Sequence, residues 1–363
     1  MKTLFIILAI LLVGGFAYMK QPALVDPIVD QQNESDHYAD GYFKNTIDRP
    51  LITSTESRVS RLYRFVFDKN VDAIPSQPIP SNKTNLKQLN PSTNIIVWMG
   101  HSSYFMQLDG KTFLVDPVFS ENASPVPMTN VAFKGSNVYT ADDIPAIDYL
   151  LITHDHWDHL DYPTLNALRE KIDNVITPLG VGSYIEQWGF DANKISQGDW
   201  FSSIEQPDDL VIHILPAQHF SGRLLERNRT LWGSFAIVTP KHKIYFGGDS
   251  GYGPHFKQIA DKLGNFDIAV LEDGQYNEAW SYIHMTPEEV VQAAKDLGTK
   301  AMLPSHNSKF KLSKHTWYDP LERTYQASLK QPFRLMTPMI GETIEIDNEQ
   351  QSFKLWWKDL LNH

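Results

Sequence analysis

Short apolar runs, each closed by a turn signal, dominate the chain from Asn94 onward. They predict strands over Ile95–Met99, Tyr104–Leu108, Thr112–Val115, Tyr149–Ile152, Asn174–Ile176, Val211–Leu215, Ser234–Val238, Lys243–Phe246, Ile268–Val270 and Ala301–Leu303. Asp109-Gly110, between the second and third runs, signals a tight hairpin. Amphipathic spacing predicts helices over Pro163–Ile172, Val181–Trp188, Phe256–Leu263, Pro287–Leu297 and Tyr318–Leu329. Thr286-Pro287-Glu288-Glu289 opens one of them with a capping hydroxyl, a first-turn proline and acids that complement the dipole. Hairpins first, then strands alternating with helices, point to an α/β chain with two mixed sheets sandwiched between helix layers.

The flanks differ from this middle. Lys2 precedes an uncharged run from Thr3 to Met19, so residues 1–20 read as a secretory signal or a short membrane anchor. Such a leader predicts an exported or membrane-anchored protein, in a bacterium one of the periplasm or cell envelope. Residues 21–92 form a polar, proline-punctuated approach with an amphipathic helix over Ser57–Asp68. The main domain spans 93–347, and residues 348–363 read as a C-terminal tail.

Composition narrows the chemistry. With 32 basic and 43 acidic residues the formal charge is -11, which removes any general attraction for nucleic acid. Arg223, Arg227 and Arg229 form either a local basic patch or solvated pairs with residues such as Glu226. The absence of cysteine excludes thiol catalysis, disulfides and thiolate metal sites.

One segment stands apart. Thr153-His154-Asp155-His156-Trp157-Asp158-His159 follows a strand, so alternate His154 and His156 face one way and can share a cation. The turn into the next helix brings Asp158 and His159 round to a second position nearby. Nitrogen and carboxylate oxygen without thiolate suit zinc, with iron or manganese as substitutes. His219, Asp249 and His306 each fall just past a later strand, where ligands held by a rigid sheet usually lie.

These stretches, with Gly100-His101-Ser102-Ser103, Leu114-Val115-Asp116-Pro117, Leu231-Trp232-Gly233-Ser234 and His284-Met285-Thr286-Pro287, resemble the metallo-β-lactamase superfamily. The resemblance runs from roughly Asp40 to Glu345 and is greatest to the branch of the N-acyl-phosphatidylethanolamine-hydrolysing phospholipases D. It implies a four-layer αβ/βα sandwich with two zinc ions at the sheet edge. His154, His156 and His219 would hold the first, Asp158, His159 and His306 the second, and Asp249 would bridge them. Two cations so placed would lower the pKa of a shared water toward neutrality. Asp158, Asp249 and His284 are the candidate catalytic residues, His284 as a contact to substrate phosphate. Asp116, His101 and Asp155 are candidate supports of the ligands.

The implied activity is phosphodiester hydrolysis on a phospholipid at a membrane surface. A soluble-substrate lactonase or cyclic phosphodiesterase is the alternative within the fold, and a non-catalytic, membrane-tethered metal-binding protein the alternative outside it. A homodimer is carried by the resemblance alone. Trp188, Trp200, Phe201, Phe220, Tyr276, Trp280 and Tyr282 could supply an apolar entrance or pack the core. Leu271-Glu272-Asp273-Gly274 departs from the more apolar segment of the phospholipases, and an acid facing the pocket would disfavour an anionic headgroup. His213, His242, His255 and His315 carry no such context.

Overall fold

The computed structural model describes residues 18–29, 35–57, 59–60, 63, 72–224 and 226–361. The apolar leader, apart from residues 18–20, and most of the expected Ser57–Asp68 helix lie outside them. A small hairpin, β1 (Tyr38–Ala39) and β2 (Tyr42–Phe43), precedes the main domain. Sheet one contains β3 (Ile95–Trp98), β4 (Tyr104–Leu108), β5 (Lys111–Val115), β6 (Ile147–Leu151), β7 (Ile172–Pro178), β8 (Ile195–Gly198) and, at its other edge, β16 (Thr343–Glu345). Sheet two contains β9 (Ser202–Gln206), β10 (Leu210–Leu215), β11 (Ser234–Val238), β12 (Lys243–Phe246), β13 (Ile268–Glu272), β14 (Ala301–Ser305) and β15 (Arg334–Leu335).

The strands carry continuous apolar runs because both faces of each sheet are covered. In β3, Ile96 and Trp98 face the space between the sheets, where they meet Ile212, Ile214, Phe235 and Phe246 of sheet two. Their neighbours Ile95 and Val97 face outward, with Leu165 and Leu168 of helix Tyr162–Leu168 and Val181 and Ile185 of helix Val181–Gln187. Sheet two does the same: Ala236, Tyr245 and Ala269 lie with Phe256 and Ile259 of helix His255–Leu263 and Val290 and Ala294 of helix Pro287–Asp296. The layers are helix, sheet, sheet, helix, as expected.

Each sheet has three antiparallel and three parallel pairings. The parallel sets β5-β6-β7 and β12-β13-β14 end together at one edge of the sandwich. Strand β10, antiparallel to β11, which is antiparallel to β12, ends there too. This register brings the loops after β3, β5, β6, β10, β12, β13 and β14 to one place.

One region departs from expectation. The residues read as a tail fold back as helix Trp356–Leu361, with Trp356 and Trp357 buried in the inter-sheet core. Two large indoles there outweigh the polar residues that precede them. The approach segment is also tied down: Phe43 is buried against Trp232, and Val29 lies against Gly180. Among the described residues, no helix is long and apolar enough to cross a membrane.

Candidate metal centre

The loop after β6 does what its alternation predicts. His154 Nε2 and His156 Nδ1 lie 2.9 Å apart, and His219 Nε2 is 3.3 Å from the same His156 atom. A single N–H on His156 could serve only one of these neighbours at a time, whereas a cation among the three nitrogens would satisfy all of them. One donor atom from each of His154, His156, His219 and Asp249 falls within 4.8 Å of the others. A second group, His101, Asp158, His159 and His306, meets the same condition.

Asp249 joins the two. Its Oδ2 lies 3.8 Å from His154 Nε2 and 3.7 Å from His219 Nε2. Its Oδ1 lies 3.2 Å from His159 Nε2 and 3.1 Å from His306 Nδ1. Asp158 Oδ2 is 3.5 Å from His159 Nε2 and 3.9 Å from His306 Nε2. Asp249 Oδ1 and His159 Nε2 are buried without a hydrogen-bond partner, an arrangement costly in itself and suited to cation ligands. The all-N/O donor set fits zinc, iron or manganese.

Around these atoms lie groups that fix ring orientation. Asp116 accepts from Thr153 N at 2.8 Å and Thr153 Oγ1 at 2.6 Å, and lies 2.8 Å from His159 Nδ1. Thr153 Oγ1 is 2.9 Å from His154 Nδ1. His219 Nδ1–H donates to Ile283 O at 2.9 Å. Holding Nδ1 in each case turns Nε2 inward, as metal-ligating imidazoles require. His101, Asp116 and His306 adopt positive φ, a conformation non-glycine residues hold only where the surroundings enforce it. Gly248, φ +57°, abuts Thr153, where a Cβ would come within 2.9 Å of its side chain.

Burial, followed by neighbouring imidazoles, holds His154 and His219 well below the usual histidine value. His156 falls to about 3 through burial. Neutral rings with free lone pairs are the form that ligates metal. Burial pushes the Asp249 carboxyl up to about 7, against the pull of His159. Burial also opposes a charge on His159, yet Asp249, Asp158 and Asp116 hold it well above its usual value. Carboxylates crowded into a dry pocket are the surroundings in which a cation offsets the cost of desolvation.

The supporting residues take definite jobs. His101, expected as a support of the ligands, stands in the second cluster with Nε2 2.9 Å from Asp158 Oδ2. Nothing in Gly-His-Ser alone distinguishes these roles. Asp155 points away from the cluster, as alternation requires, and is buried rather than solvated. It accepts from Gly222 N at 2.7 Å and Thr230 Oγ1 at 3.0 Å, stapling two loops together. His284 rings stack on His306 at 5.2 Å between centroids and lie 5.1 Å from His219. Sequence reading missed the job of Glu272. It lies 2.7 Å from His284 Nδ1 and accepts from Ser250 N and Met285 N. Asp273 is taken up by Asn307 at 2.7 Å and Thr324 at 3.0 Å. Neither acid presents a free carboxylate to the pocket.

The aromatic set divides. Trp188 and Trp200 are core residues whose indole N–H groups reach backbone carbonyls, while Phe220 packs on His156 at 4.4 Å and Tyr282 is exposed. Arg223 is buried over the Trp157 ring at 3.9 Å, Arg227 lies 5.3 Å from the Phe220 ring, and Arg229 pairs with Glu226. No basic patch forms from the three. His255 meets Ser250 Oγ, and His315 accepts from Gln275 N.

A family model described as the beta-lactamase superfamily domain matches residues 111–307. An uncharacterized Mycobacterium tuberculosis protein is 35% identical over 90% of this chain and 88% of its own. A Klebsiella pneumoniae protein called outer membrane protein RomA is 61% identical over 27% of this chain and 75% of its own. The Caenorhabditis elegans N-acyl-phosphatidylethanolamine-hydrolyzing phospholipase D 1 is 28% identical over 66% of this chain and 74% of its own. Among solved structures, a metallo hydrolase of Ignicoccus hospitalis shares the fold, with TM-score 0.53 and 21% identity over 69% of this chain and 97% of that one. The chain belongs to the metallo-β-lactamase superfamily of metal-dependent hydrolases.

Proposed function

We propose that this protein is a binuclear, zinc-dependent phosphodiesterase that hydrolyses N-acyl-phosphatidylethanolamine-like lipids at the cell envelope. The observation that carries the binuclear reading is Asp249, whose two oxygens address two separate groups of imidazoles. In this reading His154, His156 and His219 hold one cation, Asp158, His159 and His306 the other, and Asp249 both. Two such cations, when bound, would lower the pKa of a water and offset charge on the phosphate. His284, held at Nδ1 by Glu272, keeps Nε2 for a phosphate oxygen. Asp116 and Thr153 keep His159 and His154 turned inward.

The lipid substrate is supported by the name of the nematode relative and by the apolar leader Thr3–Met19. Glu272 and Asp273 are both held by donors of the protein itself, so neither turns a free carboxylate toward an anionic headgroup. The envelope location is supported by that leader and by the name of the Klebsiella relative. Purified full-length protein, with metal content measured, is to be assayed on bis-p-nitrophenyl phosphate and on a long-chain N-acyl phospholipid. Turnover of both is expected. Cleavage of the small diester alone would replace the lipid with a soluble substrate, and two bound metals without turnover would make the centre structural.

A further inference from the structure

The loop after β5 presents apolar side chains to solvent on the edge that carries the metal centre. Met128 is 88% exposed, Val126 56% and Val131 48%. All twelve residues from Asn122 to Phe133 are uncharged in a chain of net charge -11. The loop is organised by its own bonds rather than loose. Thr129 Oγ1 donates to Val126 O at 2.7 Å and lies 2.6 Å from the Ser124 hydroxyl, Asn130 Nδ2 donates to Ala123 O, and Asn122 bridges Val131. Its base is clamped from the far sheet, where Lys309 Nζ donates to Val118 O at 2.7 Å and Phe133 N to Lys309 O. A rigid loop that holds valine and methionine outward gains nothing in water from that geometry.

The same loop meets the start of the described chain. Tyr18 hydroxyl donates to Pro125 O, and the next residue, Met19, is 50% exposed. The apolar run Leu4–Val13 ends five residues before Tyr18. Five residues span at most about 18 Å, so chain length alone keeps the end of that run within this distance of Tyr18.

We propose that Val126, Met128 and Val131 form a membrane-insertion surface that seats the metal-bearing edge of the sandwich on a lipid bilayer. Lipid as the occupant rests on the proposed envelope location and on the reading of the leader as a retained membrane anchor. With no lysine or arginine between Asn122 and Phe133, insertion relies on apolar burial and needs no anionic lipid. The position also fits a lipid substrate, since the β5 loop and the candidate ligands share one edge.

The chain has no cysteine, so a single introduced thiol reports one site. Full-length Met128→Cys, carrying an environment-sensitive dye, is reconstituted into phosphatidylethanolamine–phosphatidylcholine vesicles. Full-length Leu329→Cys is the control; Leu329 is exposed and lies at the opposite edge, before β15. Expected at position 128 are quenching by acyl-chain spin-labelled lipid and protection from aqueous iodide, and neither at 329. A dye at 128 that stays open to iodide on vesicles overturns the proposal. Shielding that comes instead with protein concentration and no lipid also overturns it, because the occupant is then a second copy. The double variant Val126→Asp, Met128→Asp should lose at least roughly tenfold in turnover of vesicle-borne N-acyl phospholipid, as expected when even one such side chain loses its burial. Its bis-p-nitrophenyl phosphate hydrolysis should not change. That small-diester rate in unaltered protein tests the hydrolase reading separately: its absence sinks that reading while the quenching result still decides this one.

Discussion

The two sheets contribute to the metal centre in different ways. Sheet one delivers His154, His156, Asp158 and His159 from a single loop, where chain connectivity keeps the donors close. Sheet two delivers His219, Asp249 and His306 one at a time, from loops after β10, β12 and β14. One half of the site is therefore local and the other is assembled by strand register. The local half should survive perturbations that scatter the assembled half, and Asp249, which faces both groups, is where the difference can be tested most sharply.

Asp249→Ala should have the largest effect. If both clusters depend on this carboxylate, metal content falls from two ions toward none and turnover drops by more than about 100-fold, the upper end of what an orienting partner costs. His156→Ala, confined to one cluster, should leave one ion in place by elemental analysis. Equal metal loss in the two variants would erase the distinction between a bridging and a single-site ligand.

Asp116→Asn comes next. The change keeps size but removes the charge that holds His159 Nδ1–H, and Thr153 loses an acceptor for its hydroxyl. Metal affinity should fall by about 10- to 100-fold at the site of His159. Titration with a chelator would read this as one ion leaving earlier than the other. Simultaneous loss of both would show that the local half is no more independent than the assembled one.

Glu272→Gln should be milder. Its carboxylate holds His284 Nδ1 and two backbone N–H groups but lies outside the two imidazole clusters. Turnover should fall by about tenfold, within the range for an orienting partner, with both metals retained. A variant that loses metal instead would place Glu272 among the ligands, alongside Asp249, His284 and His306, whose donor atoms it approaches.

How much of this was legible in the sequence follows the same division. The H-x-H-x-D-H spacing announces a site because period-two alternation fixes which side chains face together. From the residues themselves His219, Asp249 and His306 were legible only as strand-end positions, and the resemblance to the superfamily is what grouped them, since they are brought together by the register of β10, β12 and β14. His101 was legible as a support of the ligands but its partner Asp158 was not, and the job of Glu272 was not legible at all. An acid after an apolar strand can face a pocket, a histidine or solvent, and the sequence at 272 is the same for all three. The strands Ile195–Gly198, Ser202–Gln206, Arg334–Leu335 and Thr343–Glu345 also escaped: Ser202–Gln206 is an edge strand with Ile204 as its one apolar residue, and Arg334–Leu335 is a two-residue pair. Trp356 and Trp357 were misplaced in a tail because their partners lie in both sheets.

The smallest expected effect concerns a cross-link between the halves. Lys309, three residues past His306, is fully buried and reaches across to Val118 O in the β5 loop. Burial pulls its ammonium down from 10.5 to about 7, only weakly offset by Asp161 and Glu121. The unfolded chain keeps that proton up to its ordinary value, so between about pH 7 and 10 the unfolded state binds more protons than the folded one. This residue's contribution to stability therefore rises with pH across that window, by at most about 1.4 kcal/mol per unit for one site. Lys309→Met keeps the apolar stem and removes the titration. Urea unfolding of metal-free protein at several pH values should give a flatter profile for the variant, with the gap opening above about pH 7. Parallel profiles would mean that Lys309 stays charged in the folded chain, held by its carbonyl and distant carboxylates. The β5 loop would then be fixed to the assembled half by a buried cation rather than by a neutral amine.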